Sequence, residues 1–294
     1  MSASTAGIVA AFQTPSVRRV LVAAALLGAL LGVETVVLHL STDPLADVHA
    51  YYDAGARLNA GIPLYDQPAS TDDAAFYRYP PLLAIAFRPL ALLPFPAAAA
   101  IWEAALIAAF ALTILRLGRG RPTWLVLGML ALPIGWSLVI GQAQVAVTLL
   151  TALGAPWALA LATNLKLFPA LAAIWWVGRR DVGSIAWFTA WLLGLAAFQL
   201  VAEPGGTLSF PGTLGPGQVG DVSNLSLYAV SPVVWGAAVV AGSVVAWRLA
   251  PTRWGWPAAV ALSVLATPRL LVYQLSTLIA GMREPDAPRQ GTDP

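Results

Sequence analysis

Apolar runs long enough to cross a lipid bilayer recur along the whole chain, and nothing constrains its fold more. The first covers residues 20–40 and is broken only by Glu34 and His39. A helix of about 20 residues spans a hydrocarbon core of roughly 30 Å. This run also exceeds the roughly 7–15 residues of a signal-peptide core, so it reads as an uncleaved first span. Further runs cover residues 96–115, 123–140, 142–153, 156–177, 185–201, 232–247, 256–266 and 270–282. Helices satisfy their own backbone in lipid, and no period-2 alternation suggests a barrel. Only 10% of the residues are charged, against about 25% in soluble domains. The expected fold class is all-α: a polytopic transmembrane helical bundle of about eight to ten spans. It forms one domain over residues 1–282, followed by a polar tail, 283–294, that reads as disordered.

Arginines orient the bundle. Arg18/Arg19, Arg116/Arg119/Arg121, Arg179/Arg180, Arg248/Arg253 and Arg283/Arg289 fall at every second boundary. Short cytoplasmic loops are enriched in Lys and Arg, so both termini are expected inside, in a multi-pass plasma (cytoplasmic) membrane protein. Asp43, Asp47, Asp53, Asp66, Asp72, Asp73, Glu203 and Asp221 fall in the opposite loops. Between Gln142 and Arg179, parity asks for three crossings of about 12 residues, or about 18 Å each. Helices that short need protein around them.

The long outer loop, residues 41–95, is the most informative segment. Asp43-Pro44 resembles a helix start, and residues 45–59 read as an amphipathic helix ended by Gly61 and Pro63. Residues 82–93, after Tyr79-Pro80-Pro81, read as a second helix lying at the outer surface. Asp47 can accept a proton from a hydroxyl as a general base, or merely complement a helix N-terminus. Tyr51 lies at i+4 on the same face. Asp53 and Arg57 are spaced for an ordinary surface ion pair, and His49 points away from Asp47.

Lys166, in Asn164-Leu165-Lys166-Leu167-Phe168-Pro169, interrupts an apolar run at a cost of about 2.5–3.5 kcal/mol at mid-bilayer. It either snorkels to the interface or neutralises a phosphate in a cavity. Arg269 and Arg78 are two more cations on the outer side. Cations kept against the positive-inside bias suit a phosphate or pyrophosphate, with acidic lipid headgroups as the plainer partner. Gln142, Gln144, Asn224 and Tyr228 suit sugar hydroxyls, or equally helix ends.

Cys is absent and only His39 and His49 are present, which removes thiolate and multi-His metal chemistry. Asp72-Asp73 could hold a metal weakly. No phosphate-binding glycine loop, HExxH, GxSxG or CxxC occurs. No cofactor and no nucleic-acid partner is expected.

The run Asp47-Val48-His49-Ala50-Tyr51-Tyr52-Asp53-Ala54-Gly55, then Gly61-Ile62-Pro63-Leu64-Tyr65, Tyr79-Pro80-Pro81, Pro89-Leu90 and Trp102, resembles glycosyltransferase family 87. Gly141-Gln142, Lys166 before Phe168-Pro169, Asn224-Leu225-Ser226-Leu227 and Pro268 follow in the family's order. The resemblance implies a GT-C fold with an outward-facing site beneath the first outer loop. It implies a polyprenyl-phosphate sugar donor, most often of mannose, and a glycolipid or glycan acceptor. It also implies an inverting displacement, with Asp47 as general base. Tyr51, Arg78, Tyr79, Gln142, Lys166, Asn224 and Arg269 are the expected substrate-binding residues, and membrane lipids the surrounding partners. The chain departs from the family in being short, and in reading Arg269-Leu270-Leu271-Val272-Tyr273 where a Trp-His cluster is usual. A membrane transporter or lipid flippase, and a structural subunit or non-catalytic homologue, are the competing functions.

Overall fold

The structure is a computed structural model, and it describes residues 14–67, 73, 76–118, 121–215, 219 and 223–283. The expected tail (apart from Arg283), Arg119, Asp72, Asp221 and Arg289 lie outside the described residues. Among the described residues every regular element is helical. Four helices are long and apolar enough to cross a membrane: α1 (Pro15–Thr42), α4 (Phe95–Leu117), α10 (Val182–Ala202) and α13 (Pro232–Leu249).

The remaining helices are shorter. Residues 123–140 split into α5 (Arg121–Met129) and α6 (Ala131–Val139). Pro133 lacks an N–H and crowds the carbonyl four residues back, which accounts for the break. Residues 142–177 give α7 (Gln144–Leu153), α8 (Pro156–Leu165), a 3-10 segment Phe168–Ala173 and α9 (Ile174–Arg179). At about 1.5 Å per residue, a ten-residue helix such as α7 is about 15 Å long. These short helices are tolerated because protein covers them: Val147, Ala158, Leu159, Ala160 and Ala162 are fully buried. After α14 (Gly255–Leu265), residues Val272–Met282 form a 3-10 helix rather than an α-helix. Its three-residue period puts Tyr273, Ser276 and Ile279 in one row and Thr277 and Ala280 in another. All five are buried.

α1 packs on α5 and α6 through small residues. A Cβ on Gly32 would stand 2.7 Å from the Ala131 carbonyl carbon, and one on Gly28 would stand 2.4 Å from the Gly128 oxygen. That approach matters for the site, because the chain leaving α1 then runs along the end of α6. There the Leu45 and Asp47 amides donate to the Val139 and Ile140 carbonyls, both at 3.1 Å.

The outer-loop segment is a packed layer, not a surface appendage. It contains α2 (Ala46–Asn59) and α3 (Pro81–Phe87), followed by a 3-10 turn Leu90–Leu92. Leu82, Leu83, Ala84 and Phe87 are buried, so this helix packs its apolar side against the bundle. Tyr51, Phe87 and Trp102 meet edge to face, with ring centroids 4.8–6.0 Å apart. Two local expectations fail. Asp43 caps the C-terminus of α1 and pairs with His39 at 2.6 Å, while α2 starts from Leu45 in a left-handed conformation (φ 61°). Arg57 turns from Asp53 to the carbonyls of Pro63 and Asp66, binding Pro63 O at 2.7 Å. At the opposite end of the bundle a second core collects Trp175, Trp176, Phe188 and Trp256.

Candidate active site

The turn joining α6 to α7 is the hinge of the site. Gly141 sits at φ +69°, and a Cβ there would lie 2.1 Å from the Val48 side chain, so only glycine fits. Trp102 Nε1 donates to the Gly141 carbonyl at 2.8 Å. This turn delivers Gln142, which is fully buried, into a directed hydrogen-bond chain. The Ala143 amide donates to Tyr51 Oη at 3.2 Å, and Tyr51 Oη donates to Gln142 Oε1 at 2.7 Å. Gln142 Nε2 donates to Tyr79 Oη at 3.1 Å, and Tyr79 Oη donates to Asp47 Oδ1 at 3.4 Å. Tyr51 and Gln142 therefore stand behind the carboxylate and hold it. Asp47 itself is half-buried in the first turn of α2. Burial pushes its carboxyl above the ordinary carboxylate range. The charges of Lys166 and Arg78, with hydrogen bonds from Tyr79 and Gln142, oppose that shift without cancelling it.

Beside this carboxylate lies a cavity of about 430 Å³. Arg78, Tyr79, Lys166, Arg269, Tyr228 and Gln144 supply its polar lining. Phe168, Phe210, Leu214, Trp235, Val264 and Leu271 are among its apolar walls. The break between α8 and the following 3-10 segment exposes Lys166, whose backbone is extended (φ −149°, ψ 127°). Its Nζ donates to Gln144 Oε1 at 2.7 Å. It also lies over the rings of Tyr79 at 5.3 Å and Tyr273 at 4.9 Å, a favourable place for a cation. Arg78 is anchored through Nη2 to the Asp73 carbonyl at 3.2 Å.

The expected residues therefore divide. Arg78, Tyr79, Lys166 and Arg269 line one cavity, and Asp47 adjoins it through Tyr79. Asn224 works from behind: its Nδ2 donates to Pro268 O at 3.0 Å, and its Oδ1 accepts from the Leu270 amide at 3.0 Å. It thereby fastens the loop that carries Arg269. His49 faces away and stacks on Phe95 at 3.7 Å. Gln199, in α10, was not singled out from the sequence. It is buried, donates to Asn164 Oδ1 at 2.6 Å and accepts from the Leu82 amide at 3.0 Å. One side chain thus ties the Arg78–Pro81 segment to the Lys166 segment. A lone amide in an otherwise apolar span, costly without partners, was the available signal. Among the described residues no group of three His, Asp or Glu is gathered for a metal.

The arrangement places a poised carboxylate and several cations next to a largely apolar chamber. It can accept a proton on one side and hold an anionic group with an apolar tail on the other.

Comparison with known proteins identifies the family. No solved structure matches the chain. A similar protein is the polyprenol-phosphate-mannose-dependent alpha-(1-2)-phosphatidylinositol pentamannoside mannosyltransferase of Mycolicibacterium smegmatis, 31% identical over 161 residues. That match covers 48% of this chain and 39% of the relative, so well under half of the relative's length is compared. The family profile of glycosyltransferase family 87 matches residues 76–280, which span Arg78, Tyr79, Lys166 and Arg269. The chain belongs to glycosyltransferase family 87.

Proposed function

We propose that the protein is a membrane glycosyltransferase. It moves a hexose, mannose by preference, from a polyprenyl-phosphate donor to a hydroxyl of a glycolipid or glycan acceptor. The reaction takes place at the outer face of the plasma membrane, with both termini cytoplasmic. The observation that carries this reading is the cavity itself: Arg78, Lys166 and Arg269 line one largely apolar chamber, with Asp47 adjoining. A lipid phosphate has the same division between anionic head and apolar tail.

In the reaction, the acceptor oxygen attacks the anomeric carbon as the bond from that carbon to the phosphate oxygen breaks. Asp47 takes the hydroxyl proton. The polyprenyl phosphate leaves with the electron pair, and the cations stabilise its growing charge. Attack from the face opposite the leaving group inverts the anomeric centre. Tyr51 and Gln142 serve by aiming Asp47, and Asn224 by holding the Arg269 loop. The membrane-spanning helices and the outer loop act as one domain.

The cavity walls come from the Asp47 end, while Trp175, Trp176 and Trp256 fill the other end of the bundle. This favours a chamber over a path through the membrane. The test is transfer by purified, reconstituted protein from labelled polyprenyl-phosphate mannose to a membrane glycolipid extract. Wild type transfers label, and Asp47→Asn, which retains shape and inserts normally, loses at least about a hundredfold in rate. Unchanged transfer in Asp47→Asn removes Asp47 from the mechanism.

A further inference from the structure

Lys166 does not hold its direction alone. Thr148 Oγ1 donates to the Gln144 backbone carbonyl at 2.8 Å. A hydroxyl has one proton, so the 2.7 Å contact between Thr148 and Thr277 must be donated by Thr277. Thr277 then has only acceptor capacity left, and it takes Gln144 Nε2–H at 2.6 Å. That fixes which way round the amide sits, with Gln144 Oε1 facing the Lys166 ammonium at 2.7 Å. Reversing the amide would set NH2 against NH3+, and oxygen against oxygen with no proton between. Gln144, Thr148 and Thr277 are 5%, 5% and 2% exposed, so each relies mainly on the others for its hydrogen bonds.

We propose that the closed ring of Gln144, Thr277 and Thr148 is a positioning device that orients the Lys166 ammonium toward the donor phosphate. This rests on the glycosyl-transfer reading above. Gln144 takes one of the three ammonium donors, and the rings of Tyr79 and Tyr273 confine the head. The other two donors remain for an anion in the cavity. Thr148 acts through Thr277, Gln144 and Lys166 and is a positioning residue; Thr277 borders the cavity and acts on the ammonium through Gln144.

The experiment uses the reconstituted full chain, farnesyl-phosphate mannose as donor, octyl α-mannoside as acceptor, and farnesyl phosphate as a binding probe. Thr277→Val keeps the volume and removes the hydroxyl. It raises the donor KM about tenfold and weakens farnesyl phosphate binding in parallel, while the acceptor KM stays within about twofold. Thr277→Ser restores both. Thr148→Val frees the Thr277 proton to turn toward the amide, and raises the donor KM in the same direction. An unchanged donor KM in Thr277→Val, or in Thr148→Val should Thr277→Val not fold, overturns the proposal. So does an equal rise in donor and acceptor KM, which a loosened scaffold would give. If wild type transfers no mannose, the transfer reading fails and the farnesyl phosphate arm still decides. Binding weakened by Thr277→Val and recovered by Thr277→Ser supports the ring; unchanged binding overturns it.

Discussion

Two opposed effects meet on the Asp47 carboxylate. Burial raises its proton affinity, while Lys166 and Arg78 lower it. An ordinary aspartate titrates near about 3.9 and would be ionised at any pH the enzyme meets. A raised value makes Asp47 a stronger base, and makes its ionisation visible in the pH profile. With Asp47 as the proposed base, the deprotonated form is the working one, so transfer falls as pH falls through the raised value, and the acid limb of kcat/KM lies above the range of an ordinary aspartate. Arg78→Gln removes one of the charges that lower it. The acid limb then moves to higher pH, and the donor KM rises as well. A limb that moves to lower pH, or stays still, in Arg78→Gln would show that Arg78 does not act on Asp47.

At the scale of elements, the site depends on how helix ends are tied together. Gln199 is the clearest case, since one amide in a spanning helix joins the start of α3 to the end of α8. Gln199→Leu fits the apolar span, yet strips an acceptor from the Leu82 amide and a donor from Asn164 Oδ1. A buried group left unpaired costs about 1–3 kcal/mol. The expected result is a lowered thermal midpoint, followed by tryptophan fluorescence, with a raised donor KM, because Arg78 and Lys166 lose their common brace. A variant with wild-type midpoint and KM would show that the two segments hold without it. Such ties explain what the sequence did and did not disclose. The long helices were legible to within a few residues, as in α4 and α10, because an apolar run has few other ways to satisfy its backbone in lipid. Lys166 and Arg269 stood out as charges in apolar surroundings. Asp43 misled, because a capping residue beside Pro44 can close one helix or open the next, and the choice depends on His39 one turn earlier. Gln199 and Thr277 carried no local signal of what they bind. Their partners lie far away in sequence, and only the packing of short helices brings them close.

For the whole molecule, the distribution of charge separates two ends. Arg179 and Arg283 both lie over Trp175, at 4.9 and 5.9 Å, and Arg283 also lies over Trp256 at 5.4 Å. Arg248 closes the last turn of α13, and Trp247 packs against Gly178 at the same end. The cations of the other end, Arg78, Lys166 and Arg269, line the cavity. Short-loop arginines mark the cytoplasmic side, so the cavity should face outward, where a lipid-linked sugar and not a nucleotide sugar would reach it. The absence of cysteine from the chain makes this directly testable, since any introduced cysteine is the only thiol. Ile62 is 45% exposed in the loop after α2, and Thr252 is exposed in the turn between α13 and α14. On intact cells a membrane-impermeant maleimide should label Ile62→Cys, and should reach Thr252→Cys only after permeabilisation. The reverse pattern would put Asp47 and the cavity on the cytoplasmic side. A donor presented from outside could not then meet the carboxylate.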